Sequence, residues 1–161
     1  MTPQTQAARE ALYEQLVTQV DAVLEDLDDP IAVMATVCGV LRAALPVASF
    51  VGFYRAVAPG LLRIGPYQGP LACLEIAFGK GVCGAAAEQG VSQVVADVEA
   101  FPGHIACDPS ARSEIVVPIF DAAGAMTAVL DVDSRQAAAF DEVDRVGLER
   151  IATVMRPHLP A

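Results

Sequence analysis

Basic side chains are scarce in this chain. Ten lysines and arginines stand against 20 acids among 161 residues, a formal net charge of -10 at pH 7. A surface that anionic repels phosphate backbones, so nucleic acid is not an expected partner. Long apolar runs are missing too. Hydrophobic residues make up 54% of the chain, enough for a sizeable core, yet no run approaches the roughly 20 residues that cross a bilayer. The opening residues, MTPQTQAARE, lack the basic-then-apolar order of a secretory signal. No internal repeat and no low-complexity linker interrupts the chain, whose length fits one domain over residues 1–161. The expected location is the cytoplasm. There, four cysteines are more often reduced, catalytic or metal-bound than a permanent disulfide framework.

Close cysteine pairs are also absent. Nine residues separate Cys73 from Cys83, and 23 separate Cys83 from Cys107. Neither gap is the short pair of a zinc ribbon or a thioredoxin-like centre. His104 and Cys107 supply half a metal site at most, and no second close pair completes it, so no metal is expected. What the chain does have is a thiol in the segment FPGHIACDPSARSE (Phe101–Glu114). Pro102, Gly103 and Pro109 break regular structure around Cys107, and His104 and Arg112 lie close enough in sequence to favour a thiolate. A structural cysteine usually sits in an apolar periodic run. Cys107 does not, which makes it a candidate nucleophile or redox centre. Cys73 follows Gly69-Pro70 on a segment suited to a resolving thiol. Cys83 reads equally as a small core residue or as a third reactive thiol. Cys38, among Val37, Val40 and Leu41, reads as core filler.

Periodicity predicts the elements. Leu12, Leu16, Val20, Val23 and Leu27 recur at helical spacing over about Thr5–Asp26. Asp28-Asp29-Pro30 stops that helix and starts a second, from Pro30 to Ala44. ASFVGFYRAV and LLRIGPYQ flank Pro59-Gly60 as a hairpin. A short strand follows at Leu74–Phe78, then a short helix over GVCGAAAEQG and a strand over SQVVADV. EIVVPIFD and AMTAVLDVDS form a second hairpin. A helix over Asp141–Met155 closes the order, with Val143, Val146, Ile151 and Val154 as its apolar side. The pattern is α+β. It predicts a mostly antiparallel sheet with helices, those of residues 5–44 included, packed mainly on one face. The other face is left to carry a pocket roofed by loops.

Two further motifs bear on chemistry. Gly79-Lys80-Gly81-Val82-Cys83-Gly84 matches the glycine fingerprint of dinucleotide-binding folds, with Asp97 after the next strand-like run. The hairpins that follow supply no β-α-β crossover, which favours a tight turn entering a helix. Asp131 and Asp133 are two apart on a strand, so both project from one face. Flanked by Val129, Leu130 and Val132, two acids there crowd like charges and raise at least one pKa. Glu114 begins a neighbouring strand and is placed to join them. The same pair at a solvated strand end would merely cap the turn at Ser134-Arg135. Phe50, Phe53, Tyr54 and Tyr67 are core aromatics by default, with Phe50 and Tyr54 the candidates to line a pocket.

VGFY, GPYQG, ACLEIAFGKGVCG, DVEAFPGHIACDPSARSEIVVPIF and VLDVDS, in that order, resemble the free methionine-(R)-sulfoxide reductases, a branch of the GAF-domain proteins. The likeness runs from about Val47 to Met155. It implies a GAF-like fold and reduction of one diastereomer of free methionine sulfoxide, with thioredoxin as electron donor and no bound cofactor. It implies that Cys107 is the nucleophile, Cys73 the resolving cysteine, Cys83 an auxiliary one, and that oxidation joins Cys73 to Cys107. Glu114, Asp131 and Asp133 fall on the family's pocket acids. The family often has tryptophan just before VGFY; this chain has Phe50, which keeps an aromatic wall without an indole donor. GAF domains often dimerise through terminal helices, so a homodimer is expected. Three rival classes stand beside this one. They are a non-catalytic GAF sensor of small molecules, a redox sensor signalling through a partner, and a dinucleotide enzyme using Gly79–Gly84.

Overall fold

The computed structural model describes residues 5–159. Local chemistry sets the helix boundaries. Thr5 Oγ1 accepts the amide of Ala8 and opens α1 (Gln6–Leu24). Asp29 accepts the amides of Ile31 and Ala32, and Pro30 takes the first position of α2 (Pro30–Ala44), where its missing N–H costs nothing. Strands β1 (Ala48–Ala58), β2 (Leu61–Gln68) and β3 (Glu75–Ala77) follow, then α3 (Gly81–Gln89), β4 (Gln93–Val95), β5 (Ser113–Phe120), β6 (Met126–Ser134) and α4 (Glu142–Met155). Gly90 ends α3 in the left-handed region at φ 64°. Asp141 and Asp144 cap each other's backbone at the start of α4. The strands predicted over Leu74–Phe78 and Ser92–Val98 are shorter than expected, three residues each.

All six strands join in one antiparallel sheet, ordered β3-β2-β1-β6-β5-β4. Its two faces carry different loads. Val51, Phe53, Ile115, Val117, Leu130 and Val132 pack with α1, α2 and α4 in the larger core. Tyr54, Leu62, Ile76, Val116 and Val129 pack under α3 with Val82, Cys83 and Ala86. The alternation of β1, β5 and β6 is thus apolar on one face and mixed on the other, which is what places polar groups beneath α3.

The helical stripes differ in part from expectation. Val23 and Val146 are exposed, whereas Tyr13, Leu24, Leu148 and Met155 are buried. The reason is that α1 lies chiefly against α4 and α2, so its inner stripe turns toward Gly147. Tyr13 packs against that glycine, and a Cβ at Gly147 would clash with its ring atoms. The Tyr13 hydroxyl donates to Asp144 Oδ1 at 3.0 Å, and Arg9 bridges Asp141 and Asp144.

This contact makes a test of how α1 is held. Gly147→Ala raises helix propensity, yet it overpacks the Tyr13 contact. It is expected to destabilise the fold by about 1–3 kcal/mol, seen as a lower midpoint in urea with an unchanged slope. A midpoint at or above wild type would mean that α1 docks elsewhere.

Candidate active site

The strand register assembles the site. On β6, Asp131 and Asp133 point to the α3 side while Leu130 and Val132 enter the larger core. Across the β5–β6 ladder Glu114 stands opposite Asp133, and across the β1–β6 ladder Phe50 stands opposite Asp133 and Gly52 opposite Asp131. Gly52 is needed here. A Cβ at that position would come within 2.6 Å of the Phe50 ring and 2.7 Å of Tyr67 Cβ. The freed space lets Phe50 lean onto Tyr67, ring centroids 5.5 Å apart. Serines at the strand ends tie the frame down: Ser134 Oγ donates to the Val47 carbonyl and Ser113 Oγ to that of Gln136, at 2.8 and 2.7 Å.

The thiols come from above. Cys83, on the first turn of α3, is buried and its Sγ lies 3.8 Å from Glu114 Oε1. Cys73, after β2, and Cys107, in the loop before β5, form a disulfide with Cα atoms 5.3 Å apart. That bridge roofs the acids. Cys107 shares its pocket with Tyr54, Cys83, Glu114, Asp131 and Asp133, and a neighbouring recess adds Phe50, Pro70, Leu71 and Ala72. With the bridge closed, the space beneath is about 30 Å³, room for roughly one or two waters and not for an amino acid.

Every sequence candidate in this constellation therefore lies in one place: Cys73, Cys83, Cys107, Glu114, Asp131, Asp133, Phe50 and Tyr54. His104 lines the same pocket. Arg112 is the exception. It is exposed and does not line the pocket, because its backbone is pinned to the Ser134 carbonyl at the sheet end. Asp108, beside Cys107, lines both recesses and was missed from sequence. Asp-Pro-Ser is a turn signature, and it does form one: Asp108 Oδ1 accepts the amide and the hydroxyl of Ser110 at 2.8 and 2.7 Å. These bonds hold its pKa below the usual carboxylate value. The glycine fingerprint is a turn. Gly79 and Gly81 take positive φ, the Gly79 amide donates to the Gly84 carbonyl at 2.8 Å, and a Cβ on Gly84 would meet the Ala77 carbonyl. Gly79's amide is spent internally and does not face a pyrophosphate.

Electrostatics follow from crowding in a dry place. Burial pushes Glu114, Asp131 and Asp133 well above ordinary carboxylate values, and their mutual charge adds to it. Burial, then the charge of Asp131, likewise raises Cys83 far above a free thiol. At neutral pH Cys83 is a thiol, and the acids cannot all be ionised. Oδ1 of Asp131 is buried without a hydrogen-bond partner. The arrangement brings a disulfide, carboxyl groups whose burial favours the protonated form, and acceptors for a cation together around one small recess.

The raised acids predict a pH-dependent stability. Their folded pKa values lie above the unfolded ones near about 4. As pH rises past that point, the unfolded chain sheds protons that the folded chain keeps, so stability falls. Asp131→Asn removes one such group. It should raise the melting temperature near about pH 8, with the gain shrinking as pH is lowered toward about 4. A gain that is constant with pH, or a loss at pH 8, would show that Asp131 is ionised and compensated.

Comparison with known proteins fits this geometry. The GAF domain family matches residues 28–156. The chain is 34% identical over 86% of its length to the free methionine-R-sulfoxide reductase of Escherichia coli, covering 83% of that protein. It is 43% identical to protein YtsP of Bacillus subtilis, covering 94% of this chain and 93% of that one. Among solved structures, the free methionine-R-sulfoxide reductase of Neisseria meningitidis in complex with its substrate superposes with a TM-score of 0.89 at 39% identity, covering 99% of this chain and 92% of that one. The chain belongs to the GAF-domain proteins, in the branch that includes the free methionine-R-sulfoxide reductases.

Proposed function

We propose that this protein reduces free methionine-(R)-sulfoxide to methionine. The observation that supports the proposal is a Cys73–Cys107 bridge whose Cys107 lines the same recess as Glu114, Asp131 and Asp133. The relatives named above support it, since the E. coli and N. meningitidis proteins bear that activity in their names. The Cys107 thiolate attacks the sulfoxide sulfur while a buried carboxylic acid protonates the oxygen. The hydroxyl then passes from the methionine sulfur to the Cys107 sulfur as the bond between the two sulfurs breaks, so methionine leaves and Cys107 is left as a sulfenic acid. The Cys73 thiol condenses with it, releasing water and forming the disulfide. A dithiol reductant, thioredoxin in the proposed cycle, restores both thiols by exchange.

The acids divide the work by their protonation. A raised pKa keeps one carboxyl neutral at working pH, as a proton donor must be. The remaining charge attracts the ammonium group of a free amino acid. A methionine sulfoxide residue inside a peptide has no ammonium there and is expected to bind poorly. Phe50 and Tyr54 supply apolar wall for the thioether end. Cys83, which lines the same recess as Cys107, serves in this proposal as a reserve partner for it.

The test is incubation of the purified protein with free methionine sulfoxide and a dithiol, following methionine by chromatography. A GAF sensor would bind without consuming reductant. Cys107→Ser should abolish methionine formation even in a single turnover. Cys73→Ser should release about one methionine per site and then stall with thioredoxin, because attack precedes resolution. Asp133→Asn should raise KM for the free amino acid, and loss of the proton donor should slow chemistry by about two to four orders of magnitude. A full single-turnover yield from Cys107→Ser would remove Cys107 as nucleophile.

A further inference from the structure

Cys83, Glu114 and Asp131 come from three separate elements, α3, β5 and β6. Their sulfur and oxygen donor atoms nevertheless lie within 4.8 Å of one another, and all three residues are buried. Sequence spacing concealed this set, because its members share no short motif. An ordinary acidic cluster is solvated and needs no ion. This one is buried, and Asp131, 5% exposed, lines the recess and carries a buried Oδ1 with no hydrogen-bond partner. A buried carboxylate oxygen with no donor in the protein is an acceptor waiting for a proton or a cation.

We propose that these three side chains form a site for one zinc-class divalent cation in the disulfide form of the protein. Bond lengths of about 2.3 Å to sulfur and about 2.1 Å to oxygen give a tetrahedral sulfur–oxygen edge of about 3.6 Å. The Cys83 Sγ to Glu114 Oε1 distance is 3.8 Å, so that edge is nearly formed, and the set as a whole, within 4.8 Å, closes by small side-chain rotations. A thiolate ligand selects zinc over magnesium or calcium, which take oxygen. Three protein ligands leave the fourth position open, and the adjoining space of about 30 Å³ admits a water there. On binding, the metal displaces the thiol proton of Cys83 and any carboxyl proton shared by Glu114 and Asp131, and these pass to buffer. One positive ion then relieves the repulsion that otherwise requires protons. The cation also occupies the position that the proposed function gives to the substrate ammonium, a consequence that rests on that function.

Cobalt(II) is the probe, because a cobalt–thiolate bond gives a near-ultraviolet charge-transfer band that carboxylate ligands do not. In the oxidised protein the only free thiols are Cys38 and Cys83. Titration of oxidised wild type should produce the band, and zinc should bleach it. Cys38→Ser should keep it and Cys83→Ser should lose it. Asp131→Asn, which lessens charge repulsion and should fold, should retain a band but bind cobalt at least about tenfold more weakly, since even an outer-shell partner is worth that much. No band in wild type, a band that survives Cys83→Ser, or unchanged affinity in Asp131→Asn would each overturn the site. A protein that shows the band yet reduces no sulfoxide would leave the metal site standing and remove the proposed function. One that reduces sulfoxide without a band would do the reverse.

Discussion

Everything in the pocket depends on one confinement: three carboxyl groups held by strand register on one face of a sheet, with the Cys83 thiol pressed onto them by α3. Glu114 and Asp133 are directly paired across β5 and β6, a placement that normally destabilises a sheet when both partners are charged. Two unit charges about 5 Å apart repel by roughly 3 kcal/mol at an effective dielectric near about 20. Bulk water would screen that repulsion, but α3 and the bridged loops leave room for roughly one or two waters only. The group therefore exists in a few states only: partly protonated, or neutralised by a cation. In the proposed function, the proton-donating acid and the affinity for an ammonium are two consequences of the same crowding.

The four cysteines show how surroundings, not identity, decide what a thiol does. Cys38 is fully buried in the larger core and donates to the Pro66 carbonyl at 3.3 Å; burial pushes its pKa up to about 12. It is inert at any pH the protein meets. Cys83 is as deeply buried, but its neighbours are carboxyl groups. Its proton is held by charge as well as by dryness, which makes it available to a cation though a poor nucleophile. Cys73 and Cys107 lie on loops, only partly covered. A loop can bring two sulfurs together and let them part again, whereas a helix or strand cannot without disturbing its hydrogen bonds.

These distinctions were unequally visible in the sequence. The period-2 spacing of Asp131 and Asp133 announced a shared face, and the Pro/Gly-bounded segment around Cys107 announced a loop thiol. Both features are local, so local pattern sufficed. The element order and antiparallel sheet followed from hairpin turns for the same reason. Asp108 was hidden although its turn was readable, since nothing local says that a turn faces a pocket. Arg112 misled in the opposite sense: five residues from Cys107 in sequence, it is turned away by a backbone bond to Ser134. Tyr13 on Gly147 and the Cys83–Glu114–Asp131 cluster are contacts between distant segments, which periodicity cannot register. A stripe computed on α1 alone chose Val23; the shape of α4 chose Tyr13.

The bridge also imposes an order of events on the proposed function. With Cys73 and Cys107 joined, the loops after β2 and before β5 are tied across the acids, and the remaining space of about 30 Å³ cannot take methionine sulfoxide. Substrate then has to wait for a reductant to cut the latch, so each turnover begins with electrons and ends with closure. The roof can lift because it is built from segments with few obligations to the sheet. Gly69 and Gly103 hold positive φ at their turns, and Leu71, Leu74 and Ile105 are largely exposed rather than buried in the core. The floor cannot move, since β1, β5 and β6 form the centre of the sheet with helices behind them. Rigid acids below and a separable pair of thiols above divide the two tasks. On the proposed function, recognition is built into the register of the strands, and redox chemistry is confined to the loops that carry Cys73 and Cys107.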